Sequence, residues 1–268
     1  MGNPTFLDST LYPFRYYSES VPANTSTQIT TTLRTELTAL SWTEPVTKTF
    51  RSPADAAGRY MTLVVAEPAA NRWNMALYDS SGISICSRSL YINSGSPTTV
   101  EYYTGKAHVL VNSNSGSGYW VYVFLLDTFP DDPRFLEHPA VGGGSFDSAG
   151  GYDGRGFFDY VFAVDNAVAQ SAARIKGLIT MNGTQYIYRM ASGRYLYVPA
   201  WTYQLVGGAG FPNYVWTGKF PQALMGPVTP VLGTDWVIPI TYAASATFRA
   251  TSVVNSGGTY YRLFMRKA

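Results

Sequence analysis

The residues that could perform chemistry are few and scattered along this chain. Its 268 residues include two histidines, His108 and His138, and a single cysteine, Cys86. Hydrolytic metal sites need His, Asp or Cys at ligand spacing, and neither histidine stands in such a motif. A serine nucleophile needs a histidine base and an orienting carboxylate, and no Gly-x-Ser-x-Gly pattern is present. His108 and Cys86 lie in alternating strand patterns, which favours buried structural side chains.

The aspartates suggest one further chemistry. Glycosidases need two carboxylates that flank the sugar, and several aspartates surround a Gly-rich region: Asp131, Asp132, Asp147, Asp153, Asp159 and Asp165. Asp and Gly together also form turns, and spacing within a loop does not determine distance in space. A polysaccharide-degrading enzyme is therefore the third alternative. We expect no catalytic residue, no metal and no cofactor, and we predict that the protein is not an enzyme.

Aromatic residues are better candidates for function because they form contact surfaces. Tyr12, Phe14 and Tyr16 lie in an aromatic-rich N-terminal segment that could dock on its own body or on a partner. A second group lies among Gly and Pro residues, where it could stack on a sugar, fill a neighbour's pocket or cover its own core: Trp201, Tyr203, Phe211, Tyr214 and Trp216. We predict all of these as interface or ligand contacts.

The composition indicates an all-β chain with little charge. Hydrophobic residues make up 46% of the sequence, aromatic residues 15%, and charged residues only 13%, about half of the usual share of about 25%. Its 21 tyrosines suit pleated, half-buried surfaces. No run of Lys and Arg could follow a phosphate backbone, so no nucleic acid partner is expected. No stretch approaches the roughly 18 apolar residues of a membrane span, so no membrane partner is expected either.

Strand and turn patterns divide the chain into parts. Residues 1–25 are predicted as an extended N-terminal arm, and residues 26–127 carry short strands spaced at about 8–12 residues, typical of a β-sandwich or jelly roll. Residues 128–155, rich in Asp, Pro and Gly, are predicted as a linker. Residues 156–268 are predicted as a second β domain. The predicted fold is therefore all-β: two antiparallel β-sandwich or jelly-roll-like domains joined by a Gly/Pro/Asp-rich linker.

Several local predictions are specific. Thr27–Thr35 alternates Thr with Ile29 and Leu33, which predicts a strand. The only helix expected is Asn166–Arg174, and a long loop is expected over Gly207–Pro230. Hairpin turns and a final strand are predicted at the following positions: Asn182-Gly183, Asn255–Gly258 and Thr259–Arg266.

Two sets of short motifs resemble tailed-bacteriophage virion structural proteins. The first set comprises Ser41-Trp42-Thr43-Glu44, Phe50-Arg51-Ser52-Pro53, Gly58-Arg59-Tyr60-Met61-Thr62-Leu63 and Trp73-Asn74-Met75-Ala76-Leu77-Tyr78. It is similar to a module of those proteins with a Trp-Thr opening, a Phe-x-Ser strand, a Gly-Arg-Tyr strand and an Asn-x-x-Leu-Tyr strand. The second set, Tyr188–Leu196 followed by Trp201–Gly208, is similar to their downstream domain. The likeness covers about half of the chain, and the family has no catalytic residues to transfer.

The resemblance implies a virion component of the tail, baseplate or neck, present in several symmetric copies. Its partners would be copies of itself and other virion proteins, contacted through strand edges, the arm, the linker and the aromatic loops. Its location would be the virion, assembled in the host cytoplasm. The single cysteine and the lack of a signal-peptide pattern agree with assembly inside a cell. The alternative is a carbohydrate-binding or receptor-binding module, with a glycan as its ligand.

Overall fold

The computed structural model shows a chain built mostly of antiparallel β-strands. It describes residues 7–54, 60, 62–78, 84–106, 108–114, 119–125, 139–145, 160–161, 198–206, 213–227, 233–240, 244–256 and 259–268. Within these ranges lie sixteen strands in three sheets and one helix. The all-β prediction is therefore confirmed, whereas the division into two sandwich domains with a linker stays a prediction.

The elements follow one another along the chain in a simple order. They are β1 (Phe14–Val21), α1 (Ser26–Thr38), β2 (Thr43–Val46), β3 (Thr49–Arg51), β4 (Thr62–Ala69), β5 (Arg72–Tyr78), β6 (Ser84–Tyr91), β7 (Thr98–Gly105), β8 (His108–Asn114), β9 (Tyr119–Leu125), β10 (Pro139–Ser145), β11 (Tyr160–Val161), β12 (Val198–Val206), β13 (Asn213–Pro227), β14 (Asp235–Pro239), β15 (Ser245–Ser256) and β16 (Thr259–Arg266). The first sheet has the order β1-β7-β8-β9-β10-β11, the second β2-β3-β4-β5-β6, and the third β12-β13-β16-β15-β14.

The end of the chain folds as its sequence predicts. β16 has the predicted bounds, Thr259–Arg266. Its register with β15 pairs Ser256 with Thr259; Gly257 and Gly258, the end of the predicted turn, lie outside the described residues. The predicted hairpin turn at Asn182-Gly183 and the predicted helix at Asn166–Arg174 both lie outside the described residues.

The strand predicted at Thr27–Thr35 is wrong, because this segment belongs to helix α1. Threonine favours strands, and the alternation of Thr with apolar residues suggested one. However, Ile29, Leu33 and Leu37 recur at every fourth position, which places them on one face of a helix. All three are fully buried, and burial of this face outweighs the strand preference of the threonines.

Two other regions differ from expectation. Residues 139–145, inside the predicted linker, form β10, which pairs with β9 along its whole length. The predicted loop over Gly207–Pro230 contains the long strand β13, Asn213–Pro227. Its turn-forming residues are accommodated by irregularities: the register with β12 shifts between Thr202 and Tyr203, and Gln222 has a φ of 56°. Bulges of this kind let a strand continue through residues that normally interrupt it.

Helix α1 ties the first two sheets into one core. It contacts β1 and β7 of the first sheet and β4 and β5 of the second. Its buried face joins a single apolar cluster with side chains from both sheets, among them Phe50, Leu63, Trp73, Val100 and Val109. Removing these side chains from water supplies the main driving force for this part of the fold.

The third sheet has a separate apolar cluster that includes a residue from the N-terminus. Leu7 is 2% exposed and packs with Leu224, Ile238, Ala246, Phe248, Ala250 and Phe264. Arg266 Nη1 donates to the Leu7 carbonyl at 2.7 Å, and Gln222 Nε2 donates to the Tyr12 carbonyl at 2.9 Å. Because β1 then pairs with β7, residues 7–21 of the predicted N-terminal arm lie on their own chain and bridge the first and third sheets.

Substitution of Gly105 tests the close packing of β7 against His108 and Trp42. A Cβ on Gly105 would overlap the imidazole of His108, which is buried, and the Gly105 carbonyl accepts a hydrogen bond from Trp42 Nε1 at 3.0 Å. We expect Gly105→Ala to lower the free energy of unfolding by about 1–3 kcal/mol, measured by urea denaturation. Gly95→Ala is the control, because the nearest neighbour of its Cβ would be Asn93 Oδ1 at 3.7 Å. Equal stability of the two variants would contradict the packing described.

Candidate functional site

The N-terminal aromatic residues predicted as contacts touch their own chain. Tyr12, Phe14 and Tyr16 are each half-buried. The guanidinium carbon of Arg266 lies 5.0 Å from the centroid of the Phe14 ring, and Lys267 Nζ lies 4.9 Å from the centroid of the Tyr16 ring. At these distances a cation is attracted to the face of an aromatic ring. Phe14 and Tyr16 therefore bind the C-terminal end of the same chain.

Four of the other predicted contact residues lie on one pair of strands. Trp201 and Tyr203 belong to β12, and Tyr214 and Trp216 belong to β13. The register pairs Tyr203 with Trp216, so the backbone brings these two positions directly opposite each other. β12 is an edge strand of the third sheet. Phe211 lies outside the described residues.

A buried ionic cluster joins the first and third sheets. Glu101, in β7, is 2% exposed and forms an ion pair with Arg249 of β15. Arg249 Nη1 also donates to Asp235 Oδ1 at 2.7 Å, and Lys267 Nζ donates to Asp235 Oδ2 at 2.7 Å. Anions and cations therefore alternate through the contact. We term the Glu101 cluster the group formed by Tyr16, Glu101, Tyr103, Asn112, Asp235, Arg249 and Lys267.

Donors occupy both oxygens of Glu101. Oε1 accepts from Arg249 and from the Tyr16 hydroxyl at 3.2 Å. Oε2 accepts from Asn112 Nδ2 at 3.2 Å and from the Tyr103 hydroxyl at 3.4 Å. A carboxylate has about four lone-pair sites, so these four donors saturate it. A general base needs a lone pair that reaches the substrate, and Glu101 is instead held as a structural anion.

Four members of the Glu101 cluster have shifted pKa values. Burial, followed by the charge of Glu101, raises the pKa of Tyr16 to about 12, and burial is the main cause that raises the pKa of Tyr103. Both phenols therefore keep the protons that they donate. Burial acts to lower the pKa of Arg249, but its bond to Asp235 and the charge of Glu101 prevail and raise it. Burial acts to raise the pKa of Asp235, but hydrogen bonds from its two cationic neighbours prevail and lower it.

The structure places the two described residues that were singled out for chemistry, His108 and Cys86, on different sheets. His108 is 1% exposed, and burial lowers its pKa to about 3, so it is neutral at physiological pH. It lies in β8 of the first sheet, whereas Cys86 lies in β6 of the second. His138 and the six aspartates of the glycosidase alternative lie outside the described residues. Among the residues that are described, no group of three or more His, Cys, Asp or Glu could hold a metal ion.

The edges of the sheets carry exposed apolar side chains. Tyr17 lies on β1, Val46 on β2, Tyr91 on β6, and Trp236 and Val237 on β14, each an edge strand. Val46 is 65% exposed and Val237 is 73% exposed. Edge strands present unpaired N–H and C=O groups, which proteins usually protect with charges, prolines or bulges. These edges therefore form a candidate interaction surface. The described residues contain no helix with both the length and the apolar character needed to cross a membrane.

Comparison with known proteins leaves the motif resemblance untested. No family model matches this chain, and no curated protein matches it. Three aromatic residues of the first motif set, Trp42, Phe50 and Trp73, lie in the core formed by the first two sheets, whereas Tyr60 is 39% exposed. In this chain these three residues have a packing role.

The Glu101 cluster was missed from the sequence. The only local sign of the cluster is the single carboxylate in the otherwise apolar sequence Val100-Glu101-Tyr102-Tyr103. A carboxylate buried in such a strand requires a partner of opposite charge. The partner, Arg249, is 148 positions away. No periodicity or spacing connects the two residues, so the pair could not be predicted.

Removal of the Glu101 charge should strongly destabilise the protein. Glu101→Gln leaves the partly buried Arg249 with one carboxylate instead of two and places an amide nitrogen among hydrogen-bond donors. Breaking a buried pair in this way typically costs about 3–5 kcal/mol, which urea denaturation would measure. The double variant Glu101→Gln/Arg249→Met should regain part of that loss, because it also removes the orphaned cation.

A surface ion pair provides the matched control. Arg34 donates to both oxygens of Glu44, at 2.6 and 2.9 Å, but its side chain is 38% exposed. Arg34→Gln should therefore cost less than about 1 kcal/mol. A loss at Glu101 no greater than the loss at Arg34 would show that the Glu101 cluster does not hold the sheets together.

Proposed function

We propose that this protein is a structural component of a phage virion, in the tail, baseplate or neck, and that it acts through protein–protein contacts without catalysis. The observation that carries the proposal is the exposure of large apolar side chains on edge strands of all three sheets. An exposed edge offers backbone hydrogen bonds to an added strand, and apolar side chains supply contact area. The motif resemblance supports the choice of a virion.

The proposal includes two antiparallel β-sandwich or jelly-roll-like domains joined by a Gly/Pro/Asp-rich linker. The common core of the first two sheets supports the first domain, and the separate apolar cluster of the third sheet supports the second. The partners would be copies of the chain and other virion proteins, and the location would be the virion, assembled in the host cytoplasm. Neither nucleic acid nor membrane is a proposed partner.

The structure changes the proposed mode of contact. A free N-terminal arm could lie on a neighbouring subunit, but here residues 7–21 bind the third sheet and pair with β7 of the same chain. The sheet edges therefore replace the arm as the main proposed contact surfaces. The arm instead positions the first and third sheets relative to each other.

Sedimentation and particle imaging test this function. Analytical ultracentrifugation of the purified full chain should show self-association, because exposed apolar edges are stabilised when a partner covers them. Cryo-electron microscopy of the phage particles should locate the protein in the tail, baseplate or neck. A stable monomer that is absent from the particles would contradict the proposed function.

A carbohydrate-binding module is the second candidate, favoured by the β12–β13 pair of strands. The register places Tyr203 opposite Trp216, and aromatic faces at such positions could stack on a sugar ring. Glycan arrays should then show binding by the full chain that falls at least tenfold in Trp201→Ala and Trp216→Ala. Tyr60→Ala is the control, because Tyr60 is exposed and lies outside the third sheet. Absence of binding at millimolar glycan would exclude this candidate.

A further inference from the structure

The edge of β14 opposite β15, termed the free edge because no described strand pairs with it, has a defined set of outward backbone groups. Two hydrogen bonds flank its ladder with β15: Ala250 N donates to the Thr234 carbonyl at 2.9 Å, and Ile240 N donates to the Ala244 carbonyl at 2.9 Å. In an antiparallel ladder, bonding to a given neighbour alternates from residue to residue. Even-numbered residues of β14 therefore bond to β15.

The odd-numbered residues accordingly direct their backbone groups away from β15. Asp235 and Val237 each present an N–H and a C=O to the free edge, and Pro239 presents only a C=O because proline has no N–H. These three residues are exposed, Val237 at 73%. Apart from β15, no described strand pairs with β14.

We propose that β14 pairs with β14 of a second copy of this chain, antiparallel and across a two-fold axis at Val237. In this register the two Val237 residues exchange N–H to C=O hydrogen bonds. Each Asp235 N–H donates to the Pro239 carbonyl of the other copy. Every N–H at the free edge is then satisfied, and the missing N–H of Pro239 falls at the end of the ladder. The third sheets of both copies become one continuous sheet.

The side chains of β14 are also compatible with this register between the two copies. Trp236 lies opposite Ile238 of the second copy, an aromatic and β-branched pair of the kind that stabilises adjacent strands. Ile238 is 3% exposed in the apolar cluster of the third sheet, whereas Trp236 is 41% exposed. Pairing would thus extend that cluster over the tryptophan. Asp235, which Arg249 and Lys267 already bind, lies opposite Pro239, so like charges do not face each other.

Two other edge strands with exposed apolar side chains, β2 and β1, fit self-pairing less well. β2 contains Pro45, and its register with β3 is irregular between Thr43 and Val46. β1 carries the charged residues Arg15 and Glu19. Charges, prolines and bulges are the devices that block pairing at an edge. β14 has only a terminal proline and an aspartate that is already ion-paired, which favours it as the pairing strand.

A disulfide test follows from the two-fold axis. The Cα atoms of a hydrogen-bonded pair lie about 5.5 Å apart, within the range of about 4.4–6.8 Å that a disulfide spans. Mild oxidation of the full-length Val237→Cys variant should therefore give a covalent dimer on a non-reducing gel. Thr99→Cys is the matched control, because Thr99 is exposed but lies on β7, an inner strand. Wild-type protein controls for Cys86.

A charge at the axis provides an independent measurement. Val237→Lys places two like charges opposite each other and should raise the dissociation constant of the dimer at least tenfold in sedimentation equilibrium. Thr99→Lys should leave it unchanged. The inference is wrong if Val237→Cys cross-links no more than Thr99→Cys, or if Val237→Lys associates as wild type does.

The β14 contact rests on the proposed assembly function, and the experiments distinguish failure of the contact from failure of the function. If the wild-type chain self-associates and occurs in particles while the Val237 variants behave as wild type, only the β14 contact is wrong. If the wild-type chain is a monomer that is absent from particles, the assembly function and its β14 contact are both wrong. A dimer that depends on Val237 but is absent from particles would support the contact and contradict the virion assignment.

Discussion

The ion pair between Glu101 and Arg249 is the contact on which the relative placement of the first and third sheets depends. Among the residues that the structure describes, the apolar cluster around α1 and that of the third sheet share no residue, so polar contacts between described side chains contribute to the orientation of one sheet on the other. A buried carboxylate is tolerated only with a close cation and hydrogen bonds to its remaining lone pairs. Because these bonds are directional, they select one orientation of the third sheet, whereas apolar contact alone would allow several.

The N-terminal segment adds further contacts between the first and third sheets. Leu7 enters the cluster of the third sheet, and seven positions later β1 begins its pairing with β7. Tyr16 then donates to Glu101 while its ring faces Lys267. The same short segment therefore supplies apolar, hydrogen-bonding and cation–π contacts between the first and third sheets. A segment held in this way stabilises the placement of the sheets and leaves the outer edges of the strands for other contacts.

The parts of the fold that depend on local chemistry could be predicted, and the parts that depend on long-range contacts could not. β16 followed from alternation and a turn signal, so its bounds were predicted. Helix α1 was misassigned because threonine propensity was given more weight than the spacing of Ile29, Leu33 and Leu37. Strand order is not local either: Pro239 is typical of edge strands and strand ends, but it does not indicate which strand β14 pairs with. Trp236 and Val237 were therefore not recognised as candidate contacts, just as Glu101 could not be connected to Arg249.

The distribution of charge explains why the edges are apolar. Only 13% of the residues are charged, and many of those in the described part are engaged in pairs within the chain: Arg15–Glu36, Arg34–Glu44, Lys48–Glu67, Arg249–Glu101, Arg249–Asp235 and Lys267–Asp235. These pairs fix the helix and the third sheet in place. In the described part of the chain, the exposed edge positions Val46, Trp236 and Val237 are apolar, whereas charges at such positions would protect a free soluble monomer. This distribution of charge supports the proposed assembly function, in which neighbouring subunits cover the strand edges.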